Sequence, residues 1–223
     1  MTFTNREEAG RRLVEKLIHY RDHPAAIILA LPRGGVAVGY QLSLGLHLPL
    51  DVFITRKLGA PDNPEYALGA VGETGTIYLN PEAVAAFSLT HADVKELVQA
   101  QQQEISRRQT LYRQGRRLLA LTDRTVILVD DGIATGSTFF ASVQSIRHLK
   151  PRRLIGAIPV GPVETIREAR AQVDELVVLA TPDPFWAVGN HYMDFTQVDD
   201  RDVVEYLNLA EEAMRERPQP SSA

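Results

Sequence analysis

A chain of 223 residues with 44% hydrophobic and 23% charged content has the balance of a globular protein, either one large domain or one domain with a small appendage. Its formal net charge of −4 argues against a general nucleic-acid binder, and the lack of cysteine removes disulfides, thiolate nucleophiles and cysteine-based zinc sites together. No apolar run approaches a membrane span and the charged start MTFTNREEAGRR has no apolar signal core, so the expected compartment is the cytoplasm, with no membrane partner.

Asn5 to Tyr20 has the period of an amphipathic helix, with Ala9, Leu13, Val14, Leu17 and Ile18 on one face and Glu7, Glu8 and Glu15 on the other. Asn5 is its expected cap. His23-Pro24 breaks the chain, and Ala25 to Leu31 is apolar enough for an interior parallel strand. After the turn Pro32-Arg33-Gly34-Gly35, a helical pattern resumes over Val36 to Leu46. Leu50 to Thr55 is the next expected strand, with the adjacent cations Arg56 and Lys57 at its carboxyl end. Leu58 to Gly69, rich in glycine and proline, is expected to be a mobile loop. Ala67 to Val71 and Thr76 to Leu79 can pair as a short hairpin around Glu73-Thr74-Gly75.

A short helix after Pro81 and a long one over Ala92 to Leu121 are expected next, the latter with one apolar face that includes Val94, Leu97, Val98, Ile105 and Tyr112. Arg107, Arg108, Arg113, Arg116 and Arg117 mark its second half; such a run is a solvated face unless a polyanion covers it. Then come a strand at Val126 to Val129, a helix at Phe139 to Leu149, a strand at Arg153 to Val160, a helix at Pro162 to Ala171 and a strand at Glu175 to Ala180. This alternation predicts an α/β fold, a parallel twisted sheet with helices on both faces, with the loops after Leu31, Thr55 and Val129 on its carboxyl edge. The core is expected over 1–180 with a helical insertion at 81–121, followed by an irregular aromatic region and a helix at 181–217 and a flexible tail at 218–223.

The chain is organised around TVILVDDGIATGST, Thr125 to Thr138. Asp130 and Asp131 end the buried strand, Gly132 permits a change of direction, and Ala134, Thr135, Gly136, Ser137 and Thr138 lead into the helix. A strand-to-helix loop of this composition is an anion site, because backbone N–H groups and hydroxyls point outward there. The carboxylates would repel a phosphate, so they should face vicinal hydroxyls of a ribose or a hydrated Mg²⁺ on the same ligand. The plainer alternative is that the acids merely cap the helix. A Walker loop needs a lysine before the final Ser/Thr, which is missing here, and Gly34, Gly35 and Gly39 do not meet the dinucleotide spacing.

VILVDDGIATGST resembles the 5-phosphoribosyl-1-pyrophosphate (PRPP) motif of the type I phosphoribosyltransferases. The resemblance implies that Gly132 and Ala134 to Thr138 hold the 5-phosphate and that Asp130 and Asp131 hold the ribose hydroxyls. Mg²⁺ would arrive with PRPP, Asp130 and Asp131 acting also on metal-bound water. Arg33, Gly34 and Gly35 resemble the family's pyrophosphate loop, often built with a strained or cis peptide, and Arg56 and Lys57 would add charge against the pyrophosphate, Lys57 counting with the two acids as catalytic. The bland readings are a tight glycine turn and a solvated basic pair. The loop at Leu58 to Gly69 maps loosely onto the family's closing lid, and the arginine helix could attract pyrophosphate or a nucleic acid.

TPDPFWAVGNHYMDFTQVDD resembles the hood of hypoxanthine-guanine enzymes, with Trp186 near the base-stacking position and Asp194 near the acid that follows. Alternatively Phe185, Trp186, Tyr192 and Phe195 form a mini-core that pins the segment. Where the 6-oxopurine enzymes carry an acid before Thr-Gly, this chain has Ala134, so no general base comes from that position. The function implied is transfer of a phosphoribosyl group from Mg-PRPP to a nitrogenous base with pyrophosphate release, in nucleotide metabolism. The alternative is a PRPP-sensing regulatory protein without transfer. No nucleic-acid partner is expected, and self-association into a homo-oligomer is left open.

Overall fold

The structure, a computed structural model, describes residues 2–216, the side chains at 64 and 65 apart; the tail expected at 218–223 lies outside the described residues. Five strands, β1 Ala26–Ala30, β2 Leu50–Val52, β6 Thr125–Val129, β7 Arg153–Val160 and β8 Glu175–Ala180, form a parallel sheet in the order β2-β1-β6-β7-β8. β1 and, after Thr125, β6 are apolar, as fits strands covered on both faces. Ile28, Ala30, Ile127 and Val129 point into one core, packed by α1 Arg6–Leu17, α2 Gly34–Leu46 and α7 Asp200–Arg215. Ile27, Leu29, Val126 and Leu128 point into the other, packed by α5 Ser137–His148 and α6 Val163–Gln172. The period of two along each strand divides one apolar run between two cores. The expected cap of the first helix is present, Asn5 Oδ1 accepting from the Glu8 amide at 2.9 Å.

Three expectations need correction. The strand expected through Thr55 ends at Val52, and the chain enters a second, antiparallel sheet of β3 Thr55–Ala60, β4 Asn63–Gly72 and β5 Ile77–Leu79. The expected mobile loop at Leu58 to Gly69 is therefore largely a hairpin of β3 and β4, with register shifts on either side of Gly59. Its glycines and prolines mark an irregular strand pair and a tight turn rather than unstructured chain. Arg56 and Lys57 consequently lie within β3 instead of following a strand of the main sheet.

The third correction concerns the arginine helix. After α3 Pro81–Ala86, α4 spans His91–Arg113 and stops well short of Leu121, because Gln114 (φ 48°) and Gly115 (φ 87°) turn left-handed. Nor is its basic run a solvated face throughout. Arg113 is 4% exposed, its guanidinium bonded to Asp51 in β2 at 3.0 Å, to Glu73 beyond β4 at 2.5 and 2.9 Å, and to the Val52 carbonyl at 2.6 Å. This buried cluster fastens the antiparallel sheet to the edge of the parallel one. Arg107 pairs with Glu104 and with Asp200 of α7, and Arg116 pairs with Glu211.

Candidate functional site

Two loops leave the carboxyl edge of the parallel sheet side by side. The Leu31 amide donates to the Val129 carbonyl at 2.9 Å, so the turn after β1 starts against the end of β6. A Cβ on Gly35 would lie 2.9 Å from that carbonyl, and a Cβ on Gly34 would lie 1.9 Å from Asp131 Oδ2. Only glycine permits this approach. The Pro32-Arg33 peptide is cis, and α2 begins directly after it. The turn Pro32 to Gly35 and the pair Asp130-Asp131 are thus one contiguous surface.

Asp130 Oδ1 accepts from the Asp131 amide at 2.9 Å. Burial pushes both carboxyls above their ordinary range, and the Asp131 charge pushes Asp130 further; Arg6 pulls Asp131 back down. Arg6 begins α1, and its Nε donates to Asp131 Oδ2 at 2.7 Å while Nη1 donates to the Thr196 carbonyl at 2.7 Å. The guanidinium lies 3.8 Å from the centre of the Phe195 ring. On the other side, the Tyr192 hydroxyl donates to the Asp131 carbonyl at 2.5 Å and Val188 packs against Gly132. The amino and carboxyl ends of the fold therefore both bear on the acid loop.

Beyond the acids, buried Ile133 anchors the loop through its amide to the Val160 carbonyl, whereas Ala134 and Thr135 are exposed. Gly136, at φ 74°, caps α5 in a left-handed turn that a side chain would strain. Thr135 Oγ1 and Ser137 Oγ stand 3.1 Å apart at the start of that twelve-residue helix, whose first amides have no intrahelical acceptors. Hydroxyls, amides and the positive helix end together suit an anion.

A cleft of about 470 Å³ adjoins these loops, lined by Pro32 and Thr138 on one side and by Arg56, Lys57, Gln101 and Arg108 on the other. Arg56 Nε donates to Gln101 Oε1 at 3.0 Å, and burial and then the Arg108 charge lower the Arg56 pKa. Arg33 is drawn toward Asp200, 3.7 Å away, which Tyr112 and Arg107 hold at 2.7 and 3.2 Å. The edge thus brings together Asp130 to Thr138, Arg33 to Gly35 and the pair Arg56-Lys57.

Trp186 and Asp194 do not line the cleft. Trp186 is 80% exposed, outside the mini-core, which instead takes Phe185, Val188 and Tyr192 around Phe3. Asp194 accepts from the Thr196 amide and hydroxyl at 2.9 and 2.6 Å, which lowers its pKa. Arg6, Gln101 and Asp200 carried no sequence signal: each bears on the site only through contacts with distant chain, such as the 125-residue span from Arg6 to Asp131.

A parallel α/β sheet covered on both faces here carries an acid pair and a hydroxyl-lined helix start beside a cationic cleft at its carboxyl edge. Residues 3–194 match the family described as phosphoribosyl transferase domain, and the chain belongs to that family. It is 41% identical over 208 residues to a Mycobacterium tuberculosis (strain ATCC 25618 / H37Rv) protein named "Putative phosphoribosyl transferase Rv0571c". That match covers 93% of this chain and 47% of the relative, so the chain spans about half the relative's length. The crystal structure of TT1426 from Thermus thermophilus is 39% identical, with a TM-score of 0.80 over 93% of this chain and 98% of that one. AQ2163 from Aquifex aeolicus, 12% identical with a TM-score of 0.51 over 91% of this chain and 84% of that one, shares the fold. Among the described residues no helix is long and apolar enough to cross a membrane.

Proposed function

We propose that the chain transfers a 5-phosphoribosyl group from Mg-PRPP to a nitrogenous base and releases pyrophosphate. The observation that carries this reading is the convergence, at one sheet edge, of Asp130-Asp131, the hydroxyl loop to Thr138 and the cleft of Arg56 and Lys57. The amides and hydroxyls from Ala134 to Thr138 take the 5-phosphate, and Asp130 and Asp131 take the ribose hydroxyls. Arg33 to Gly35, Arg56 and Lys57 take the pyrophosphate. Stabilising the charge that develops on this leaving group, and holding the base in line with the anomeric carbon, would supply most of the rate.

The oxygen donors present fit a magnesium ion that arrives with the substrate: two adjacent carboxylates, and among the described residues no larger cluster of acids or histidines that could cage a metal. Such an ion supplies charge neutralisation at the pyrophosphate oxygens. Asp130 and Asp131 would hold it through its water. Trp186, 80% exposed, is the proposed stacking surface for the base, with Asp194 the proposed acid that meets it. The compartment is proposed to be the cytoplasm and the setting nucleotide metabolism. The test is pyrophosphate release from Mg-PRPP across a panel of purine and pyrimidine bases.

Ala134 favours one second reading. Exposed at the loop tip, with its carbonyl accepting from Thr165 Oγ1 at 2.8 Å, it offers no base for an incoming ring nitrogen. A PRPP-sensing protein without transfer would bind Mg-PRPP in the same cradle and release no pyrophosphate with any base.

A further inference from the structure

Resting on that assignment of the cleft, we propose that Arg108 of α4 is a third oxyanion-binding residue, which takes the pyrophosphate group together with Arg56 and Lys57. Leu97, Gln101 and Arg108 recur at helical spacing and all line the cleft, so one face of α4 forms its wall. Three cations, Arg56, Lys57 and Arg108, line this space, and among the described residues no acid does. Glu104 stands behind Arg108 rather than in the cleft.

The arrangement of Arg108 is that of a held donor. Its side chain is only 16% exposed, and Glu104 Oε1 accepts from its Nε at 2.7 Å. That bond engages Nε alone, so the two Nη nitrogens, the forked end suited to phosphate oxygens, stay outside the pair. Gln101 holds Arg56 in the same way, through Nε at 3.0 Å, from one turn earlier on the helix. Each guanidinium is therefore held through its Nε by an acceptor on α4. The Arg108 charge also bears on Arg56 in this partly dehydrated space, and Glu104 offsets it only in part. Such crowding is unfavourable in the empty protein and becomes favourable when a polyanion enters.

The test is titration of inorganic pyrophosphate with Mg²⁺ into the full chain, compared across wild type, Arg108→Gln and Arg117→Gln, each checked by its melting curve. Arg117 is exposed and outside the cleft, and serves as the equal-charge control. Arg108→Gln is expected to weaken pyrophosphate binding by about tenfold or more, with Arg117→Gln within about twofold of wild type. Equal weakening in both variants would mean that only net charge matters, and would overturn the inference. So would unchanged affinity in Arg108→Gln. Should that variant fail to fold, Arg108→Lys replaces it: its ammonium lacks the forked Nη pair that pairs bidentately with an oxyanion while Nε holds Glu104, and several-fold weaker binding is expected, unchanged binding being the contrary result. A folded wild type that binds no pyrophosphate would instead remove the assignment of the cleft itself, together with the role of Arg108.

Discussion

The acid edge at the ends of β1 and β6 and the cationic wall of β3 and α4 adjoin at Pro32 and Thr138, yet they are assembled differently. The acid edge comes from two strand-loop-helix units of one parallel sheet, in register from Ala26 opposite Thr125 to Ala30 opposite Val129. Within each unit the site residues are contiguous in sequence, and the turns follow largely from glycine and local hydrogen bonds, with Arg6 and Tyr192 added from afar. The cationic wall comes from a separate antiparallel sheet and a helix, tied to the edge by the Arg113, Asp51 and Glu73 cluster, by the Ser142–Thr55 hydroxyl bond and by a shared apolar core. The turns of one half are written in local sequence, whereas the other half depends throughout on long-range packing.

The most disruptive change should strike that tie. Arg113→Met leaves Asp51 and Glu73 buried without their counter-charge and is expected to cost about 3–5 kcal/mol of stability, read by denaturant unfolding. In the folded fraction it should also weaken pyrophosphate binding without altering the acid loop. On the other side, Gly34→Ala places a methyl 1.9 Å from Asp131 Oδ2 and is expected to cost about 1–3 kcal/mol and to depress PRPP binding, because the two loops must part.

A subtler change separates stability from function. Burial and the Asp131 charge raise the folded-state pKa of Asp130, so the fold favours its protonated form. That stabilisation is full below the ordinary carboxylate pKa and is lost as pH rises through the raised value. Asp130→Asn should therefore melt higher than wild type by about 1 kcal/mol near neutral pH, with the advantage shrinking toward acid, while binding Mg-PRPP more weakly. Melting curves at two pH values and one titration check both halves. The smallest effect is expected for Arg116→Gln, which breaks an exposed pair with Glu211 and should change stability by under about 1 kcal/mol.

The same contrast explains what the sequence could disclose. The apolar run Val126 to Val129, the acids after it and the small residues to Thr138 encode strand, turn and helix start through their own chemistry, so this side was legible. Leu58 to Gly69 was not, because proline and glycine signal a break in regular pairing equally in a loop and in a bulged hairpin. The arginines from 107 to 117 look alike in sequence; Arg113 ends α4 buried in an ion cluster while Arg117, past the left-handed turn at Gln114 and Gly115, is exposed, and the sequence does not announce where the helix stops. Arg6 gave no warning at all, being an ordinary first residue of an amphipathic helix until the fold sets it on Asp131.

The central claim is that the acid edge holds PRPP, and calorimetric titration of PRPP with Mg²⁺ into wild type and Asp131→Asn tests it most directly. Saturable binding to the wild type, weakened at least about tenfold in a variant that still melts cooperatively, is the expected result. A folded wild type that takes up no PRPP, or an Asp131→Asn variant that binds it equally well, would contradict the account.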